Sequence, residues 1–239
     1  MHQQLTFRQA CAHLRIPEQV LRDAVKYREV PFRKQGNEVF FDATELDAWG
    51  SRRILALREK ELSPEHTAST RLEAQACADD VLFPQLLKPA YVDLDFRAKT
   101  RTSVLHDLVD FAERLELLYD PADLFTQLEA RESFSSTALP GGIALPHPHH
   151  QDPYLIAEPF MLLARAQRPV WFGAEDDSAT DLFCLICCGE NMRHLHVLAR
   201  LCMMIRDTQL LETLRAIKTP EDAMKAFFSS EREVLAEMH

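Results

Sequence analysis

Over the first fifty residues, apolar positions fall at helical spacing, then alternate, then return to helical spacing. Phe7, Ala10 and Leu14 share one face of a helix predicted over 5–14 and capped by Thr6. Arg15-Ile16 makes a turn. Pro17 suits the first position of a second helix that runs to about Tyr27 and buries Val20, Leu21, Ala24 and Val25. Two apolar stretches within 29–41 flank the turn pair Gly36-Asn37 and predict a hairpin, after which Asp42 caps a helix through Trp49. Residues 51–80 are polar and charged, with Pro64 and the run Thr-Ala-Ser-Thr at 67–70, and read as a linker with some helix.

The pattern beyond residue 82 is longer-ranged. A short strand is predicted over 91–94, and an amphipathic helix over 102–118 with Val104, Leu105, Leu108, Val109 and Leu115 inward. Asp120-Pro121-Ala-Asp123 carries cap, proline and acidic first turn for a helix ending near Arg131-Glu132. Strands follow around 142–145, 155–164, 169–172 and 181–188, then helices from about 191, 207 and 220, the last repeating the capping signature in Thr219-Pro220-Glu-Asp222. Helices before, strands between and helices after predict an α/β class: a mixed β-sheet sandwiched by helices, with a small N-terminal domain. The expected divisions are a domain at 1–54, a partly helical linker at 55–81 and a second domain at 82–239.

Composition narrows the class of protein. With 46% hydrophobic and 27% charged residues, and no apolar run near the length of a membrane span, the chain is expected to be soluble and globular. Its first residues lack the basic and apolar segments of a secretion signal, so a cytoplasmic location and reduced thiols are expected. Cys184-Leu-Ile-Cys187-Cys188 reads as a buried strand in which Cys184 and Cys187 face opposite ways, a poor chelating geometry. Neither a metal nor a cofactor is expected. Residues 1–58 hold ten Lys and Arg against seven Asp and Glu, a charge of +3, which leaves −13 for the remainder of a chain at −10. A positive head on an acidic body suggests nucleic-acid contact at one end.

The strongest chemical signal is local. Six glycines occur in 239 residues and two are adjacent, Gly141-Gly142, opening the run Gly-Ile-Ala-Leu-Pro-His that ends at His147. Pro146 stops the β-prone stretch, which delivers His147 at a strand end, where a histidine can serve as nucleophile. Arg131-Glu132 and Ser136-Thr137 lie upstream, and His194 opens an apolar helical stretch downstream. This ordered set resembles the enzyme IIA domain of the fructose, mannitol and nitrogen-related branch of the bacterial sugar phosphotransferase system, over roughly residues 82–233. The resemblance implies that His147 accepts a phosphoryl group from the histidine-containing phosphocarrier protein, with Arg131 and His194 as its supporting pair. It places Glu132, Ser136, Thr137 and Gly142 around them, the two hydroxyl residues as donors or as loop anchors. An enzyme IIB domain is the family's usual next acceptor; none is expected within residues 1–239, so it stands as a candidate partner.

Each residue also has a plainer reading. Arg131 beside Glu129 and Glu132 fits a solvated ion pair at a helix end, and His194 and His196 fit surface positions on a helix burying Leu195, Leu198, Ala199 and Cys202. His149 and His150 fit a loop.

The N-terminal pattern of helix, turn, helix, hairpin and helix resembles the small winged helix-turn-helix module of the excisionase and MerR type. That resemblance implies a second helix in the major groove and a wing on the backbone. It puts Arg22, Lys26 and Arg28 on or just after the reading helix, and Arg33 and Lys34 on the wing, where they would meet phosphates. Pro17-Glu18-Gln19 departs from the family, which has small hydroxyl residues and arginine there. DNA and a second copy of the chain are therefore candidate partners, and no membrane partner is expected. Three functions remain open: a regulatory phosphocarrier linked to DNA binding and transcription, an unphosphorylated partner-binding regulator whose head serves docking or dimerisation, and a plain phosphotransfer component whose head docks on protein.

Overall fold

The computed structural model describes residues 4–36, 38–56 and 82–237. The chain divides into two compact units, Met1–Asp79 and Asp80–His239. Residues 57–81, which hold most of the expected linker, lie outside the described residues.

In the first unit, β1 (Gln4–Thr6) leads directly into α1 (Phe7–Leu14). Thr6 and Gln9 cap that helix reciprocally: Gln9 N donates to Thr6 Oγ1 at 3.4 Å, and Thr6 N donates to Gln9 Oε1 at 2.9 Å. Arg15 turns the chain at φ 51°, and α2 (Glu18–Lys26) follows. Pro17 is the N-cap of α2 rather than its first helical residue, and Leu21 and Ala24 are buried while Val20 and Val25 are half-buried. A two-turn helix buries only a narrow stripe, so the outer positions of the expected face stay at its edge.

The hairpin β2 (Arg33–Gln35) and β3 (Glu38–Asp42) turns at Gly36, and β3 lies between β1 and β2 in an antiparallel sheet. α3 (Ala43–Ala56) starts where the Asp42 carboxylate accepts from Thr44 N at 3.0 Å and Glu45 N at 3.3 Å. It runs seven residues beyond the expected end at Trp49, straight through Gly50. Burial of Trp49, Ser51 and Leu55 outweighs the weak helix propensity of one glycine.

The second unit opens with α4 (Phe83–Leu86), a 3₁₀ turn at Pro89–Tyr91 and β4 (Val92–Phe96). Then come α5 (Arg101–Arg114), α6 (Pro121–Phe134), β5 (Ala138–Leu139), β6 (Ile143–Ala144), β7 (Phe160–Val170) and β8 (Thr180–Cys187). It closes with α7 (Asn191–Asp207), α8 (Leu210–Ala216) and α9 (Pro220–Glu237). The strand order is β4-β7-β8-β6-β5; β4 with β7 and β6 with β8 run parallel and the other pairs antiparallel, so the sheet is mixed.

Two further expectations are corrected. The strands expected over 155–164 and 169–172 form one strand, β7, while Leu155 and Ile156 belong to the segment before it, where Ile156 bridges Leu118. Pro169 fits inside β7 because the ladder to β8 is irregular between Arg165 and Val170, where a missing N–H costs no ladder bond. The helix expected to reach residue 118 ends at Arg114, since Glu116 at φ 58° cannot continue it.

β8 is buried from Leu182 to Cys187, and burial pushes the Cys184 thiol up to about 12, so this thiol is inert near neutral pH.

Gly142 holds the β5–β6 turn at φ +80°. Its carbonyl accepts from Asp181 N at 2.9 Å and Leu182 N at 3.1 Å, which docks β6 on β8. A Cβ there would stand 2.7 Å from Arg215 Nη2, 2.9 Å from Asp181 Oδ1 and 3.2 Å from the Ala179 carbonyl. Gly142→Ala is therefore expected to destabilise the second unit by about 2 kcal/mol in urea unfolding, from left-handed strain plus displacement of the Asp181–Arg215 pair.

Candidate functional site

His147 sits where three elements converge. Past β6, Leu145 N donates to the Thr137 carbonyl at 3.1 Å and Ile186 N to the Pro146 carbonyl at 2.9 Å, so the chain runs along β8 up to the histidine. Arg131 reaches it from the last turn of α6, and His194 from the first turn of α7. The site is covered: His147 is 2% exposed, and Arg131 and His194 are each 1% exposed.

The hydrogen bonds assign the protons. His147 Nδ1 lies 2.8 Å from the Leu145 carbonyl oxygen, which can only accept, so Nδ1 carries the hydrogen. Nε2 accordingly holds a lone pair and accepts from Arg131 Nε at 3.0 Å. Arg131 Nη1 donates to the Ser135 carbonyl at 2.7 Å, which ties the guanidinium to the end of its own helix. The His147 and His194 rings lie 4.6 Å apart, centroid to centroid, at 42°.

Burial and then the Arg131 charge hold His147 well below its ordinary 6.5; the neighbouring His194 and His149 add to this, and the Leu145 carbonyl opposes it. The same two causes take His194 down to about 3. Both imidazoles are neutral at neutral pH. An exposed histidine at 6.5 would be only partly so.

The other expected residues build the frame rather than touch the imidazole. Glu132 is 4% exposed; it accepts from Thr137 N at 3.2 and 3.3 Å, from Thr137 Oγ1 and from Arg101 Nη2 at 2.8 Å. Burial raises the Glu132 carboxyl, and the Thr137 and Arg101 contacts pull it back. Ser136 Oγ donates to the Phe172 carbonyl at 3.1 Å and accepts from Ala138 N at 3.2 Å. Of the two readings of this Ser-Thr pair, the geometry is that of loop anchors. Gly142 lies in the β5–β6 turn, against Asp181 and Arg215 rather than the histidines.

His150 is exposed, with its backbone N–H on Gln127 Oε1 at 3.1 Å, and its ring packs against His149 at 4.6 Å. Among the described residues, the group spaced for a metal is His106, Asp107 and Asp110 on the outer face of α5.

In the first unit Arg22 and Lys26 stand exposed on α2, Arg28 lies two residues past its end, and Arg33 and Lys34 are exposed on β2. Arg22 Nη2 lies 3.4 Å from Glu18, and its guanidinium carbon 5.6 Å from the centroid of the Phe7 ring.

Sequence reasoning missed Arg101, which bonds both the carboxylate and the carbonyl of Glu132. It also missed Arg215, which clamps the Gly141 carbonyl at 2.5 Å while paired with Asp181. Both partners are distant along the chain, so no local pattern marks either.

Residues 85–230 match the family described as the phosphoenolpyruvate-dependent sugar phosphotransferase system, EIIA 2. The chain is 30% identical over 139 residues to a nitrogen regulatory protein of Bradyrhizobium diazoefficiens, an alignment spanning 57% of this chain and 85% of that protein. Among solved structures, the nitrogen regulatory protein IIA-Ntr from Neisseria meningitidis superposes with a TM-score of 0.55 at 25% identity, covering 62% of this chain and 99% of that one. The complex of enzyme IIA mannitol and phosphorylated enzyme IIB mannitol from Escherichia coli shares the fold at 18% identity and a TM-score of 0.53, over 60% of this chain and 97% of that one.

Proposed function

The chain belongs to the family of EIIA 2 components of the phosphoenolpyruvate-dependent sugar phosphotransferase system, and from that membership we propose that His147 Nε2 accepts a phosphoryl group from the histidine-containing phosphocarrier protein. The observation that carries this reading is the fixed tautomer: the Leu145 carbonyl holds the proton on Nδ1 and leaves the Nε2 lone pair facing Arg131. Nε2 attacks phosphorus as the bond between phosphorus and the donor imidazole breaks, its electron pair returning to that ring. Nδ1 keeps its proton, so the step needs no general base. Arg131 Nε exchanges the nitrogen lone pair for a phosphoryl oxygen, a stronger charge-assisted bond, and stabilises the equatorial charge of a loose transition state. His194 adds a neutral donor in the first turn of α7, where the helix dipole favours an anion.

The protein acts, in this reading, as a regulatory phosphocarrier in the cytoplasm, with domains at 1–54 and 82–239 and a linker between. Its head is a winged helix-turn-helix module that binds DNA as a dimer and reads out the state of His147, and an enzyme IIB domain is a candidate acceptor. Exposed Arg22, Lys26, Arg28, Arg33 and Lys34 support the DNA role; Glu18, exposed beside Arg22, offsets little of it.

One observation favours the second reading, an unphosphorylated regulator: His147 is covered and its lone pair already engaged. Incubation with phosphoenolpyruvate, enzyme I and the phosphocarrier decides between them. One acid-labile phosphate per chain, mapped to the peptide holding His147, is expected; no incorporation would leave the second reading. For the head, retardation of DNA at low salt is expected and should be lost in Arg33→Ala/Lys34→Ala; a head that retains no DNA at low salt has a docking role instead.

A further inference from the structure

A half-buried cation terminates a chain of hydrogen bonds that ends on the imidazole of His147. Arg101 is the first residue of α5, and its backbone is set by the capping box of Thr100 and Ser103. Its Nη2 donates to Glu132 Oε2 at 2.8 Å and also to the Glu132 carbonyl, while its guanidinium carbon lies 5.6 Å from the centroid of the Phe172 ring. Glu132 accepts the N–H and O–H of Thr137. The Thr137 carbonyl accepts from Leu145 N at 3.1 Å, and the Leu145 carbonyl accepts from His147 Nδ1 at 2.8 Å. Bonding the Glu132 carbonyl also pins the last turn of α6, the turn that holds Arg131 against Nε2.

We propose that Arg101 is a positioning residue for phosphoryl transfer: by holding Glu132 as a charged acceptor it fixes Thr137 and Leu145, and through them the tautomer of His147 and the place of its Nε2. The proposal rests on His147 as acceptor, and Arg101 itself touches neither imidazole. The physical basis is the asymmetry of burial. Glu132 is 3% exposed at its side chain, whereas Arg101, at 38%, reaches it from the solvent side. Without that cation a buried carboxylate keeps only Thr137 as donor, and burial favours its neutral form. A protonated carboxyl gives up one acceptor site and presents a donor to a residue that has donors of its own. Thr137 then loses its anchor, and with it the strap through Leu145. Both contacts of Arg101 come from one nitrogen, so a lysine Nζ can replace them; a site read by a two-pronged guanidinium fork could not be rescued this way.

The test uses the full chain as wild type, Arg101→Met and Arg101→Lys, read by side-chain ¹⁵N spectra of the histidines and by the rate of phosphorylation from the phosphocarrier. The wild type should show a pyrrole-type Nδ1 and a pyridine-type Nε2 for His147. Arg101→Met should shift both signals toward a tautomer average and slow phosphorylation about tenfold to a hundredfold, the scale expected for misplacing a reacting group. Arg101→Lys should restore the spectrum and bring the rate within about threefold of wild type. Should Arg101→Met melt below the assay temperature, Arg101→Gln, which keeps a donor but no charge, takes its place with the same expected results. A wild-type spectrum and a rate within twofold in the uncharged variant would overturn the proposal, as would a lysine variant no better than the uncharged one. The spectra are read without any phosphoryl donor, so a chain that is never phosphorylated defeats the acceptor reading while Arg101's hold on the tautomer is still decided.

Discussion

His147→Gln is expected to lower phosphate incorporation by at least about a thousandfold, the scale of removing a nucleophile that works as part of a set. Glutamine is the informative replacement because its Oε1 can still accept from Arg131 Nε, which keeps that buried guanidinium bonded and the pocket filled. What it lacks is a nitrogen lone pair able to attack phosphorus. His194, only 4.6 Å away ring to ring, is not expected to substitute, because the Arg131 Nε and Leu145 carbonyl bonds that orient a nucleophile here are made to His147. His150→Gln should leave the rate unchanged, since that exposed ring packs on His149 and only its backbone N–H is tied down, to Gln127. Acid-labile phosphate persisting in His147→Gln, with far-ultraviolet dichroism unchanged, would place the acceptor elsewhere.

The residues that make this site were readable to different depths. The Gly-Ile-Ala-Leu-Pro-His run, the caps at Thr6, Asp42 and Asp120 and the inward positions of α5 are short-range features, and short-range physics writes them into adjacent residues. The set Arg131, His147 and His194 was legible as an order of residues, and the fold brings its members within contact of one another. Whether Ser136 and Thr137 faced the imidazole was not legible, because their hydroxyls are claimed by Phe172, just beyond β7, and by Glu132, in the last turn of α6. β1 was equally hidden. Three residues carry no alternation worth the name, and they become a strand only because β3 supplies the ladder. β7 was split by Pro169 in the sequence and rejoined by an irregular ladder in the structure. The tautomer of His147 depends on a carbonyl two residues back, whose position is set by Thr137 across the β5–β6 hairpin; a spacing cannot encode that.

Acid is expected to destabilise the second unit, with a steepness to which His147 contributes about one proton. The sign follows from where each state binds it. In the unfolded chain the imidazole protonates near 6.5, while the folded His147 stays neutral well below that, through burial first and the Arg131 charge second. Stability from this residue is therefore complete above the unfolded value and lost as the pH falls below about 6.5, at up to about 1.4 kcal/mol per pH unit. His194, neutral down to about 3, acts over the same range with the same sign. Glu132 and Glu231, raised chiefly by burial, act oppositely, since the folded state takes their protons more readily. These contributions are common to wild type and His147→Gln and cancel between them. Measured by urea unfolding, the stability gap between the two proteins should move by about 2 kcal/mol in favour of the variant from pH 7 to pH 5. A gap that does not change with pH would mean that His147 titrates near 6.5 in the folded protein, and that the fully neutral imidazole on which the phosphoryl-acceptor chemistry draws is not its state in solution.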